Sequence, residues 1–247
     1  MIVKDIMTTK MITVVADDTL SHAANLLRQY QGHHLPVVRH LQVHETEKTV
    51  QSTHKTLLLL EGLLTSQDID LVVALDKQRS SGDLLHRPWY DQRVAEVMHR
   101  ATISVTPTTS AAAAAQLLVE RGLNCLTVVD YEQVGEGQER QTVLVGLLTR
   151  SDLLMALARA MGAFEPGMQL LIPLPHGDLI PLAQTLLLAA ELHINVHSVM
   201  VAPQGNAPRV ATLRLGTINP SPLLVRLHGA NIAYTFADPL SEGETHA

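Results

Sequence analysis

An α+β fold is predicted, with a βαββα unit present twice and a third section in the order βαββαβ, and three observations predict it. Gly62-Leu63-Leu64-Thr65-Ser66-Gln67-Asp68 recurs as Gly146-Leu147-Leu148-Thr149-Arg150-Ser151-Asp152, each time closing a strand-like apolar run and opening an amphipathic helix. Upstream, the echo continues at a constant offset of 91 residues. Asp5-Ile6-Met7 pairs with Glu96-Val97-Met98, Ile12-Thr13-Val14 with Ile103-Ser104-Val105, Thr19 with Ser110, Leu27 with Leu118, and His34-Leu35-Pro36-Val37-Val38 with Cys125-Leu126-Thr127-Val128-Val129. Self-similarity over that length marks a repeated structural unit. From residue 168 the pattern changes, and the last third shares none of these motifs.

Within each repeat the elements follow from periodicity and caps. Residues 18 to 30 carry Ala23, Ala24 and Leu27 on one helical face behind Thr19, a plausible N-cap. Residues 109 to 121 repeat this with five consecutive alanines, strong helix formers whose small side chains allow close packing. Residues 35–38 with 57–64, and 126–130 with 142–148, read as hairpins. The offset falls from 91 to 84 between them, so the difference is assigned to one loop: a long polar connection over 39–61 against a shorter, Gly-containing one over 130–145. The helices after the corners take their apolar faces from Leu71, Val72 and Leu75 and from Leu153, Leu154 and Leu157.

In the last third, an apolar run at 168–174 is followed by Pro175-His176-Gly177-Asp178 and a helix over 178–192. A strand at 195–201, a Pro/Gly turn at 203–208, a strand at 209–215, a helix near 220–228 and a strand at 230–236 complete the ferredoxin-like order. The expected organisation is therefore 1–78 and 94–163 for the repeats, 79–93 as linker, 168–237 as the third domain and 238–247 as tail.

Composition narrows the function. The 247 residues, 46% hydrophobic, supply two or three small cores, and no apolar run approaches the roughly 20 residues of a membrane helix. Met1-Ile2-Val3-Lys4-Asp5 lacks a basic-then-apolar leader, so a cytoplasmic protein without a membrane partner is expected. A net charge of −6 and few aromatics argue against a nucleic-acid partner. A single cysteine, Cys125, precludes an internal disulfide framework and reads as a small core hydrophobe.

The duplicated corner carries the chemistry. Its glycine permits close approach of backbone to a ligand, Thr65 and Thr149 sit where the free N–H groups of a helix start hold an anion, and Asp68 and Asp152 supply a carboxylate able to accept two ribose hydroxyls. Lys10, Arg100 and Arg150 are the nearest cations. Each residue also has a plainer reading: either Asp is favoured at a helix start by the dipole alone, His33 and His34 fit a core or surface role, and Arg150 fits a solvated helix start. His193 and His197 have metal-helix spacing but fall at a strand start without a third ligand nearby, so no metal is expected. There is no Gly-x-Ser-x-Gly elbow, Walker loop, His-Glu-x-x-His or Gly-x-Gly-x-x-Gly, and no enzyme is expected. Asp68 and Asp152 occupy equivalent environments, which do not separate pKa values as an acid/base pair requires.

These residues resemble a pair of CBS domains, a Bateman module, over about residues 1 to 160. The matching features are the opening Met, Ile-Thr/Ser-Val, Leu-Pro-Val-Val and both Gly-h-h-Thr-x-x-Asp corners. The resemblance implies binding, without chemistry, of AMP, ADP, ATP or S-adenosylmethionine, with an adenine nucleotide as regulatory ligand and no cofactor. By motif it implies a site at Ile12, Thr13, His33, His34, Leu35, Pro36, Thr65 and Asp68, and at Ile103, Ser104, Asn124, Cys125, Leu126, Thr149, Arg150 and Asp152. Two departures stand out: Thr127 replaces the usual Pro, which frees an N–H, and Ala16 replaces the Pro that Pro107 supplies. One pocket is therefore expected to be altered. Arg150 is a better phosphate partner than Ser66, so the site closed by Asp152 is favoured, with Asp152 closing over Thr13 and His34-Leu35-Pro36.

Gly177-Asp178-Leu179 followed by Ile194-Asn195-Val196-His197-Ser198-Val199 resembles an ACT domain, which implies dimerisation or a second effector held at His176, Gly177, Asp178 and Leu179. The combined architecture is similar to bacterial acetoin-utilisation accessory proteins. A non-catalytic sensor of adenosine ligands, homodimeric and acting on a partner enzyme, is the expectation. The alternatives are a ligand-free interaction platform and an amino-acid sensor.

Overall fold

The computed structural model describes residues 1–45, 53–78, 87–133, 140–202 and 209–236. The expected tail at 238–247, the Pro/Gly turn at 203–208, linker residues 79–86 and loop residues 134–139 lie outside them. The chain divides into two compact units, Met1–Leu153 and Leu154–Ala247.

The first unit is a pair of similar halves built on one sheet. In the first half, α1 (Leu20–Gln29) is capped by Thr19, whose hydroxyl accepts from His22 N–H. Strands β1 (His34–Glu45) and β2 (Thr53–Thr65) form an antiparallel hairpin, and α2 (Ser66–Gln78) follows. In the second half, β3 (Ser104–Val105) follows α3 (Val94–Val97). Ser110 caps α4 (Ala111–Glu120) through Ala113 N–H, β4 (Cys125–Gln133) pairs with β5 (Arg140–Thr149), and α5 (Arg150–Ala160) follows. The strand order is β1-β2-β5-β4-β3, with the two hairpins joined where Leu59 pairs with Val143.

Three sequence expectations change here. The first hairpin is longer than expected: residues assigned to a polar loop over 39–61 are largely strand, because Leu57, Leu59 and Val143 form a small buried cluster against which Leu41, Val43 and Val145 pack. The opening strand of the first half shrinks to one bridge, Val14 to Val37, whereas the second half pairs both Ser104 with Thr127 and Val105 with Val128. Pro36 stands where Thr127 stands, and a proline has no N–H for a second rung. Of the residues expected to form the apolar faces of the corner helices, Leu71, Leu75, Leu154 and Leu157 are more than half exposed. The buried positions of these helices are Ile69 and Ala156, with Val72 and Leu153 partly buried against a core.

The halves exchange their opening segments. Val3 N–H donates to Thr109 O and Lys4 N–H to Pro107 O, while the equivalent Val94 N–H donates to Asp18 O and Ala95 N–H to Ala16 O. Thr8 bridges Leu147, and His99 bridges Leu63. Val3 is accordingly buried with Val105, Leu118, Leu126 and Leu148 of the second half, and Val94 and Met98 with Leu20, Leu27, Leu35 and Leu64 of the first. Each half completes the other's core, so the pair is the folding unit.

In the second unit, β6 (Met168–Leu174), α6 (Ile180–Glu191), β7 (Val196–Ala202), β8 (Arg209–Leu215), α7 (Ser221–Gly229) and β9 (Thr235–Phe236) form an antiparallel sheet in the order β7-β8-β6-β9. Leu170, Ile172, Leu174, Leu213 and Leu215 are fully buried with Leu223 and Leu227 of α7 and with Leu182 and Ala189 of α6. The expected last strand at 230–236 is reduced to Thr235–Phe236; Asn231 takes a positive φ of 56° and Ile232 turns into the core.

Candidate functional site

Both corners fold the same way. Asp68 Oδ2 accepts from Thr65 N–H at 2.8 Å and from the Thr65 hydroxyl at 2.6 Å, and that hydroxyl accepts from Asp68 N–H at 3.3 Å. Asp152 and Thr149 repeat the pattern at 2.8, 2.8 and 3.2 Å. This reciprocal capping satisfies donors that a helix start leaves open. It also commits one oxygen of each carboxylate, Oδ2, to the corner itself.

The corner glycines serve the exchange between halves, not a ligand as expected. A methyl group on Gly62 would lie 2.8 Å from the His99 carbonyl oxygen and 3.0 Å from Met98 Sδ, and one on Gly146 would lie 2.7 Å from Met7 Sδ. The close approach is that of the other half's opening turn.

The corners share one cleft of about 780 Å³ in the first unit. Its walls come from equivalent segments, Gln31–His34 and Gly122–Cys125 at the strand entries and Thr65–Asp68 and Thr149–Ser151 at the corners, with Leu63, His99 and Ala101–Ile103 between them. Of the residues expected at a site, His33, His34, Thr65, Asp68, Ile103, Asn124, Cys125, Thr149 and Arg150 line this cleft. Leu35 and Leu126 do not: their side chains are core, 2% and 0% exposed. Pro36 is buried, and Ile12, Thr13, Ser104 and Asp152 are outside the lining. Ser104 hydrogen-bonds Thr127 at 2.7 Å, so both hydroxyls serve the strand pair.

Each corner faces its own half. Ser66 N–H donates to His33 O, and Arg150 N–H to Asn124 O. Asp152 faces Thr8 and Cys125, which replaces the expected closure over Thr13 and His34-Leu35-Pro36. Burial is the largest influence on Asp68 and raises its pKa, but the hydrogen bonds from Thr65 and His99 outweigh it and leave the carboxyl below its ordinary range. Burial, with His33 beside it, holds His34 low against the opposing pull of Asp68, so a neutral imidazole is favoured. Burial, reinforced by the Asp152 charge, pushes the Cys125 thiol up to about 12 and makes it a poor nucleophile. Sequence reasoning missed His99, whose Nε2 donates to Asp68 Oδ1 at 2.8 Å. Its signal was its position one residue after Met98, equivalent to Thr8 after Met7.

The sequence profile of the CBS domain matches residues 3–48 and 94–159. The CBS domain-containing protein YhcV of Bacillus subtilis (strain 168) is 30% identical over 151 residues, which span 61% of this chain and 81% of that protein. The chain belongs to the CBS domain family. Among solved structures it is similar to a provisionally assigned acetoin utilization protein (AcuB) from Vibrio cholerae, 22% identical over 66% of this chain and 96% of that one, with a TM-score of 0.47. It is also similar to CBSX2 in complex with AMP, 23% identical over 63% and 95% of the two chains, with a TM-score of 0.42. A third is the CBS domain pair of protein MJ0100 in complex with 5′-methylthioadenosine and S-adenosyl-L-methionine, 22% identical over 64% and 96%, with a TM-score of 0.43. Among the described residues no group of His, Cys, Asp and Glu is arranged to hold a metal ion, and no helix is long and apolar enough to cross a membrane.

Proposed function

We propose that this CBS pair is a non-catalytic sensor of adenosine-containing ligands: AMP, ADP, ATP or S-adenosylmethionine. The observation that carries this reading is the convergence of both strand entries, the Thr65–Asp68 corner and Thr149–Ser151 of the second corner on one cleft of about 780 Å³, a volume suited to a small-molecule ligand. At the Asp152 corner the chemistry matches a nucleotide. Asp152 Oδ1 is a charged acceptor for ribose hydroxyls, Ile103 offers an apolar surface 40% exposed for a base, and Arg150, an exposed cation of the cleft wall, suits a phosphate.

The C-terminal unit is read as an ACT-like, ferredoxin-like domain. Its element order and sheet order support this, and so does the turn at His176 and Gly177, both at positive φ, which Asp178 follows by accepting from Ile180 N–H. Its role in this reading is dimerisation or capture of a second effector, with the pair acting on a partner enzyme.

A thermal-shift screen tests the sensor. A ligand that binds only the folded state, at about 100 times its Kd, adds about 2.7 kcal/mol, so the melting temperature rises with AMP, ADP, ATP or S-adenosylmethionine. Flat melts across millimolar concentrations of all four contradict the reading and favour a ligand-free platform, whereas a shift with amino acids alone moves the sensor to the C-terminal unit.

A further inference from the structure

The two corners are superposable in sequence and in capping, yet they differ in what meets the second carboxylate oxygen. At the first corner His99 Nε2 donates to Asp68 Oδ1 at 2.8 Å. At the second the equivalent side chain is Thr8, whose hydroxyl lies 3.4 Å from Asp152 Oδ1, beyond the range of a good O–H···O bond. Asp68 Oδ2 already accepts two donors from Thr65, so with His99 in place both of its oxygens are engaged. A ribose diol approaching Asp68 must displace a charge-assisted hydrogen bond, while at Asp152 it meets an oxygen without a close donor. The neighbouring position adds to the difference, since Arg150 stands at the second corner where Ser66 stands at the first.

We infer that His99 is a specificity-determining residue that closes the Asp68 corner from within the chain, so that the cleft takes one adenosine ligand, along the Thr149–Ser151 wall that Asp152 caps. This rests on the sensor reading above and deepens it by fixing which half of the cleft is used. His99 arrives at Asp68 only because the opening segments are exchanged: Leu63 and His99 pair through both backbone hydrogen bonds, and the side chain then reaches over the first corner. The imidazole is itself 63% exposed while Asp68 is 16% exposed. The ring therefore covers the carboxylate without belonging to the core, and replacing it leaves the packing intact.

Calorimetric titration of the full chain with AMP, ADP, ATP and S-adenosylmethionine in turn, on wild type and on His99→Thr, tests this. The substitution places at the first corner the side chain that the second corner already has. The expected result is one ligand per chain in wild type and two in His99→Thr. In the wild-type background Asp152→Ala lowers affinity about tenfold to a hundredfold, the worth of hydrogen bonds to a charged acceptor, and adding Asp68→Ala to His99→Thr returns the count to one ligand per chain. Two ligands in wild type, one ligand in His99→Thr, or loss of binding through Asp68→Ala alone overturns the inference while leaving the sensor intact. No binding of any probe to either protein removes the sensor reading, and the inference falls with it.

Discussion

His34 shows how a single side chain records its place in the cleft. Its folded pKa lies below the ordinary 6.5 because burial disfavours the imidazolium and His33 adds to that, with Asp68 opposing. Between the lowered value and 6.5 the unfolded chain binds a proton that the folded chain refuses. The contribution of His34 is therefore complete above pH 6.5 and is lost as pH falls through the folded value. We expect wild type to lose more stability than His34→Gln between pH 7 and pH 5 in matched denaturant titrations; parallel curves would contradict the burial. Cys125 makes a companion case, since a thiol near pKa 12 has little thiolate at neutral pH. Maleimide should label it slowly in the folded chain and quickly in denaturant, and equal rates would place it outside the core.

The exchanged opening segments dominate at the scale of elements. Their packing makes Gly62 and Gly146 unequal: an added methyl at Gly62 meets a backbone carbonyl at 2.8 Å, while at Gly146 it meets the flexible end of Met7 at 2.7 Å. Overpacking of this kind costs about 1–3 kcal/mol, and Gly62→Ala should fall at the upper end because a backbone oxygen cannot rotate away. Gly146→Ala should be milder, and chemical denaturation of both variants checks the order. Local signals were legible in the sequence wherever a residue acts on its own neighbours. The caps Thr19 and Ser110 and the corner helices follow from side chains acting within a few residues of themselves. The exchange was not legible, because nothing near Val3 or Val94 encodes pairing with Thr109 or Asp18, and both glycines were consequently assigned to a ligand. His99 escaped notice for the same reason: its partner Asp68 is set by that long-range pairing. The apolar faces of the corner helices were legible, but a helical apolar stripe does not say what covers it, and Leu71, Leu75, Leu154 and Leu157 are exposed.

At the scale of the whole molecule, edges and exposed apolar residues call for a partner. Among the described residues β7 has a neighbour on one side only, and Val196, Val199, Met200 and Val201 are each at least a third exposed; open edges of this kind are usually paired or covered. A two-fold dimer meets that need. Light scattering of the full chain at micromolar concentration should give about twice the 26.9 kDa of one chain, and a monomer would leave β7 to a different partner. The central claim, that two half-sites of a CBS pair form one adenosine cleft, is tested most directly by a crystal structure of the full chain grown with AMP. The account predicts a single nucleotide in the cleft, its ribose hydroxyls on Asp152, its phosphate toward Arg150, and His99 still on Asp68. A nucleotide with its ribose on Asp68, or seated outside this cleft, would contradict it.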